Sequence, residues 1–382
     1  MTTALHDPHI QGAPTIDAAD EALRVAELLS PGADQRDRTG VIPTDIFDEL
    51  GAAGLTTALV PTEFGGGGAT HAEMGRMLRT LGSADASVAV TLSMHCHLLA
   101  AQVWRHKHGM DASAVFEKVT NGAFLVSTGA SDWLGSTGSA VKVDGGYIVT
   151  ATKTPASGCE VGTVLVTSIR WDDGPDGPQL IHCSIPFAAT GVDIERTWDT
   201  AGLRATGSHT VRLTDVFVPD GAVSLIRPAD IWHPIWNVVL GAAMPLIMAA
   251  YLGVADAAVA EAIAAVDGRG DAHLDHLVGE MVNAHQAAVD VVDAMFAASD
   301  DLGFANTDAH SGRTLTRKTV ACTALLDTVR LATEVVGGRS FSRGHLLERL
   351  RRDIQGCVYH PLPRATQLPF SGRVARGLDP IG

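Results

Sequence analysis

Apolar residues recur at helical spacing from about Asp17 to Asn121, as in Ala22-Leu23, Ala26 and Leu29, then Phe47, Leu50 and Leu55. Pro43, Pro61 and the run Gly65 to Gly68 divide this stretch into separate helices. Between Phe124 and Val218 the period shortens. Ala140 to Val143, Tyr147 to Val149, Val164 to Val166 and Val211 to Leu213 are β-rich pieces separated by Gly, Asp and Pro. Asp144-Gly145-Gly146 has the make-up of a hairpin turn. From Trp232 onward the helical spacing returns in long Ala-, Val- and Leu-rich segments. Helices, then strands, then helices exclude an alternating βαβ nucleotide-binding fold. The pattern predicts an α+β chain with an N-terminal helical domain over residues 1–122. A small central β-barrel over 123–228 and a C-terminal four-helix bundle over 229–382 complete it.

Composition narrows the chemistry. With 382 residues, 46% of them hydrophobic, the chain has enough material for a large core. A formal charge of -15 without a basic cluster argues against nucleic acid as a partner. Five cysteines, none in Cys-x-x-Cys spacing, predict reduced thiols in a cytoplasmic protein. Met1 to Pro14 lacks the basic and apolar regions of a secretory signal. The longest apolar run, Ile235 to Val254, carries Asn237, Pro245 and several glycines, and is expected to be a buried bundle helix rather than a membrane span.

A helical run stops at Gly337 and Gly338, and a second, charged helix restarts before Arg352 and Asp353. Paired glycines between helices let the backbone approach a ligand and leave N–H groups free for an anion. The stretch from Glu334 to Asp353, followed by Val358-Tyr359-His360-Pro361, resembles the C-terminal signature of the acyl-CoA dehydrogenase superfamily. The resemblance extends over nearly the whole chain. It includes Ile42-Pro43 to Leu55, Val60 to Gly66, Asp85 to His95, Gly146-Tyr147 to Lys153, Gly202 to Ser208 and Asp215 to Pro219. In that family the glycine turn touches the flavin pyrophosphate of a neighbouring subunit, which implies a homo-oligomer, dimer or tetramer. Many members place a catalytic glutamate shortly after the Arg-Asp pair. Here that place reads Tyr359-His360-Pro361, and the alternative position before Pro245 holds Ala242, Ala243 and Met244. The usual carboxylate base is missing. Glu261, further along the same helix, reads as a surface or bundle residue.

The trio His95, Ser157 and His360 resembles the active-site set of the dibenzothiophene-monooxygenase-like branch of this superfamily. In that branch reduced flavin and oxygen give a C4a-(hydro)peroxyflavin, which needs a dry pocket and a proton donor. Histidine suits that role, with an unperturbed pKa of roughly 6.5. The resemblance implies catalytic roles for His95, Ser157 and His360, and flavin contacts from Ser127, Thr128, Ser131, Ser157, Gly337 and Gly338. Read without it, serines beside Gly129 and Gly158 are turn residues, and a histidine in an apolar helix is a packed core residue. His97 receives that bland reading. Trp198 is expected to shield the ring or to pack the barrel.

Relatives follow the helix of Glu261 with Arg-x-x-Phe-Gly, which holds the FAD adenine side. Asp267-Gly268-Arg269-Gly270-Asp271 lacks the aromatic, so the expected cofactor is FAD or FMN, with reduced flavin delivered by a separate flavin reductase. The resulting expectation is a two-component monooxygenase using reduced flavin and O2 on a small organic substrate. Alternatives are an acyl-CoA dehydrogenase with an atypical base, and a silent subunit completing a partner's flavin site. No phosphate loop is expected, because Ala69-Thr70 follows Gly65 to Gly68 where Lys-Ser/Thr is required. No metal is expected either. His95 and His97, like His106 and His108, are two apart and do not share a helix face. Arg349, Arg351 and Arg352 read as a solvated face.

Overall fold

A computed structural model describes residues 18–128 and 132–382. Six helices come first: α1 (Ala18–Leu29), α2 (Ala33–Thr39), α3 (Thr44–Ala52), α4 (His71–Ala84), α5 (Ala86–Lys107) and α6 (Ser113–Thr120). The start of α4 is fixed by a reciprocal cap. Glu73 N–H donates to Thr70 Oγ1, and the Glu73 carboxylate accepts from Thr70 N–H. Asp85 caps α5 by accepting from Ser87 N–H and Val88 N–H, and its other oxygen accepts from Arg36 Nε at 2.7 Å.

Eight strands follow: β1 (Leu125–Ser127), β2 (Ser139–Val143), β3 (Gly146–Ala156), β4 (Val164–Trp171), β5 (Gln179–Pro186), β6 (Val192–Glu195), β7 (His209–Pro219) and β8 (Val223–Pro228). They form two four-stranded sheets, ordered β1-β4-β5-β8 and β2-β3-β7-β6, so the expected barrel is built from two sheets. Only the short β1–β4 pairing is parallel among the described strand pairs. Val143 pairs with Gly146, leaving Asp144-Gly145 as a two-residue turn with Gly145 at φ 73°. That positive φ is the reason glycine stands there.

The C-terminal part consists of α7 (Ile235–Ala265), α8 (Ala272–Ser299), α9 (Asp308–Val336), α10 (Leu346–Asp353) and α11 (Arg364–Ala375). By length and composition α5 and α7 could cross a membrane, but 89% and 94% of their most apolar windows are buried inside the protein. Core position accounts for their composition. Asn237, the polar residue in the apolar start of α7, donates to Asp308 and accepts from Ser311 Oγ, both on α9. Helices α4 and α7 cross at near-contact distance. A Cβ placed on Gly253 would press on the Arg79 carbonyl and lie 2.8 Å from Ser83 N, and one on Gly82 would meet the Ala250 carbonyl. Beside that crossing, Arg79 grips Asp256 through two hydrogen bonds of 2.5 and 2.8 Å. At the other end of the chain, Arg352 of α10 makes a bidentate pair with Asp37 of α2, at 2.8 and 2.6 Å.

Candidate active site

Helix α5 is apolar almost all round, so its two neighbouring histidines point to different surroundings. At about 100° per residue, positions two apart lie roughly 200° apart around the axis. His95 faces β1. Its Nδ1 accepts from Leu125 N–H at 2.9 Å, which places the proton on Nε2, and Nε2 donates to the Thr56 carbonyl at 2.8 Å. The ring is fully buried and stacks on Phe124 at 4.6 Å. Both nitrogens are committed. His95 therefore departs from the expected proton donor, because any transfer through it would first break a backbone hydrogen bond.

His97 has the opposite condition. It is 8% exposed, and its buried Nδ1 makes no hydrogen bond. The Ser93 carbonyl one turn back favours the charged ring electrostatically without reaching hydrogen-bond geometry. An unpartnered buried ring nitrogen is unusual. His97 also lies near enough to His360 for charge on one to oppose charge on the other.

His360 follows the 3-10 turn Ile354–Val358 that ends α10. Its Nε2 hydrogen-bonds the Tyr251 hydroxyl of α7 at 2.8 Å. Lys318 of α9, 2% exposed, donates to the carbonyls of Val358 and Leu362 on either side of it, at 3.3 and 3.5 Å. Thus α5, α7, α9 and the segment after α10 converge on one pair of imidazoles. His97, Tyr251 and Lys318 were not singled out as site residues from the sequence.

Ser157 ends β3 from the β side of this junction. Its Oγ lies in hydrogen-bond contact with Ser208 Oγ at 2.8 Å. Ser208 in turn meets Thr206 Oγ1 at 2.6 Å, and Thr206 donates to the Leu203 carbonyl. Leu203 packs against Gly356 next to the Tyr251 hydroxyl, so the 203–208 loop connects Ser157 to the tyrosine side. Trp198 is part-buried and donates its indole N–H to Leu203 O at 2.9 Å.

The remaining expected contacts divide. Thr128 is tied into a buried network: it donates to Asp132 at 2.6 Å, and Asp132 is paired with Lys153 at 3.0 Å. Its hydroxyl hydrogen is already used. Ser127 is part-buried at the end of β1 and makes no side-chain hydrogen bond. Ser131 lies outside the described residues. Gly337 and Gly338 form an exposed turn, Gly337 at φ 77°, and a Cβ on either would meet nothing within 4 Å. A hollow of about 470 Å³ lined by Glu117, Lys118 and Thr163 includes none of these groups.

Residues 19–112 match the family described as acyl-CoA dehydrogenase, N-terminal domain. The fold agrees over far more of the chain. The solved structure of KijD3 in complex with FMN and a dTDP-amino-keto-sugar superposes with a TM-score of 0.85, covering 96% of each chain at 26% identity. The chain has the fold of the acyl-CoA dehydrogenase superfamily. Within it, isobutylamine N-hydroxylase of Streptomyces viridifaciens is 26% identical over 92% of this chain and 98% of its own. YdbM of Bacillus subtilis, provisionally named an acyl-CoA dehydrogenase, is 27% identical over 88% of this chain and 91% of its own.

Burial sets the electrostatics of the junction. Burial pushes His97 down to about 4, and burial with Lys318 and His97 beside it pushes His360 down to about 3. Both rings are neutral near pH 7, and neither pairs with a carboxylate. His71 and His95 are likewise pushed by burial to about 4.

These shifts set a pH dependence of stability. An unfolded histidine takes up a proton near pH 6.5, whereas the four folded rings resist until about pH 4 or 3. Below about pH 6.5 the unfolded state binds more protons, so their contribution is full above that pH and lost as pH falls through 4. Asp353, raised by burial to about 7, acts in the opposite direction but is a single group. Thermal unfolding should therefore show Tm dropping steadily between about pH 6.5 and 4. A flat Tm across that window would refute the burial of these rings as neutral species.

Proposed function

We propose that the chain is a flavin-dependent monooxygenase that takes reduced FMN and O2 and oxygenates a small organic molecule, an amine being the favoured class. The observation that carries this reading is the pair His97 and His360, two neutral imidazoles of which His360 stands where the family pattern calls for a carboxylate. The FMN-bound relative and the amine-hydroxylating relative point the same way.

The residues present suit a flavin. Ser157 offers a hydroxyl, held by Ser208, for the ring edge, and the open turn at Gly337-Gly338 offers backbone N–H groups for a phosphate. Reduced flavin, when bound, supplies the electrons that activate dioxygen. The chain's own work is to exclude water, orient the substrate and handle protons. His97, neutral and with Nδ1 unpartnered among the described residues, is the candidate acceptor for a substrate N–H. His360 presents its other ring nitrogen, Nδ1, which has no hydrogen bond among the described residues. Phe341, 84% exposed beside the glycine turn, and Tyr359, 75% exposed beside His360, suit coverage by a second copy of the chain. That supports a homo-oligomer in which the turn serves a neighbour's flavin. A cytoplasmic location and a separate flavin reductase complete this reading.

A second reading, acyl-CoA desaturation, draws on Asp353, a buried carboxyl raised to about 7. Its oxygen is already taken by Leu203 N–H at 2.6 Å, and it is 4% exposed. One experiment separates the two. With FMN, NADH and an added flavin reductase, the protein should bind reduced flavin and slow its oxidation by air, and an amine should restore oxygen uptake. Anaerobic bleaching of bound flavin by acyl-CoA esters, without any reductase, would instead establish the dehydrogenase.

A further inference from the structure

We propose that Tyr251 is a positioning residue that holds the His360 proton on Nδ1, with Lys318 fixing the segment that carries the ring. The argument starts from a count of protons. Tyr251 is fully buried, and its hydroxyl has one proton and one hydrogen-bond partner among the described residues, His360 Nε2 at 2.8 Å. If Nε2 carried the proton and donated, the phenol hydrogen would be buried without an acceptor, at a cost of about 1–3 kcal/mol. The phenol therefore donates. A neutral imidazole that accepts at Nε2 must carry its proton on Nδ1.

Nothing else about Tyr251 calls for a phenol. It sits in the apolar α7 among alanines, leucines and methionines, where phenylalanine would pack as well. Gly356 shows how closely the hydroxyl is held: a Cβ there would stand 2.5 Å from Tyr251 Oη and would press on Leu203 Cδ1. Burial and the nearby thiols and Asp353 raise the phenol well above its ordinary value, so it remains a donor at any working pH. Lys318 completes the arrangement by binding the Val358 and Leu362 carbonyls, which bracket His360 in sequence.

His360 then presents Nδ1–H, its tautomer set by its partner, whereas His97 has no hydrogen bond at Nδ1 among the described residues to fix its own. The catalytic consequence rests on the monooxygenase reading above; the tautomer does not.

The test is magic-angle-spinning NMR of protein labelled with ¹⁵N-histidine, with the His360 signals assigned by subtracting a His360→Gln spectrum. In the wild type His360 should be a neutral ring protonated on Nδ1. In Tyr251→Phe the proton should move to Nε2 or exchange between the two nitrogens. Product formed per peroxide released should fall about 10-fold, with KM for the amine nearly unchanged. A wild-type His360 protonated on Nε2, or an unchanged tautomer in Tyr251→Phe, overturns the proposal whatever the activity. A shifted tautomer with an unchanged product-to-peroxide ratio sustains the proposal and removes His360 from the proposed oxygenation. Because the wild-type measurement needs no variant, a Tyr251→Phe protein that fails to fold leaves the first criterion in force.

Discussion

His97→Ala should lower amine oxygenation about 100-fold or more, the usual range for loss of a positioned proton-transfer group. Hydrogen peroxide release should rise, while Tm should fall less than in His95→Ala, by the cost of the void alone. The ring makes no hydrogen bond through Nδ1, so truncation orphans no partner. His95→Ala is the informative contrast. It removes the acceptor of Leu125 N–H and the donor to the Thr56 carbonyl, and leaves a void beside Phe124. Unsatisfied buried backbone groups cost about 1–3 kcal/mol each, so His95→Ala should show its effect in unfolding. Turnover per folded His95→Ala molecule should hold up much better than in His97→Ala. Measured together, Tm and the product-to-peroxide ratio give each variant a distinct signature. A stable but inactive His95→Ala beside an active His97→Ala would return the proton-handling role to His95.

Gly253→Val should be the most damaging single substitution in the helical part. A Cβ at Gly253 presses on the Arg79 carbonyl and approaches Ser83 N to 2.8 Å, contacts that side-chain rotation cannot relieve. Helices α4 and α7 would have to separate. Gly82 opposite, equally tight against Ala250, would lose its fit as well. Overpacking in a core costs about 1–3 kcal/mol when side chains can adjust. Here the obstacle is backbone on both sides, so about 3 kcal/mol or more is expected, a large share of a typical total stability of about 5–15 kcal/mol. The pairing of Arg79 with Asp256 would be strained by the same shift. Chemical denaturation of Gly253→Ala and Gly253→Val should rank them in that order, with little soluble Gly253→Val recovered. A Gly253→Val protein with wild-type Tm would show that the two helices do not touch at this crossing.

Periodicity carried the fold well and the site badly, for one physical reason. Where a segment has one wet face, the pattern is informative. The alternation around Asp144-Gly145-Gly146 locates the hairpin to within a residue, Gly146 being the first residue of β3 rather than part of the turn. Where a helix is buried all round, every face reads alike. His95 and His97 sit in such a helix, and no spacing could say which faces the β1 backbone and which faces the junction. Tyr251 was hidden in the same way inside α7, and Lys318 inside the buried side of α9. His360 was legible because it stands where the family pattern calls for a carboxylate. The Ser157 hydroxyl was legible too, but its link through Ser208 and Thr206 toward the tyrosine is a product of folding.

The grip of Arg352 on Asp37 spans 315 residues of chain. Translation proceeds at ~5–20 residues per second, so α2 waits roughly 15 to 60 seconds for the arginine that will hold it. Until α7 (Ile235–Ala265) is made, the nascent N-terminal helices lack the surface against which α4 and α5 pack. Their apolar faces are open to chaperones or to neighbouring nascent chains. Slow synthesis of the middle third should thus lower the yield of native protein more than slow synthesis of the first. The chain's two ends are made at opposite limits of that interval, and the fold closes only when they meet.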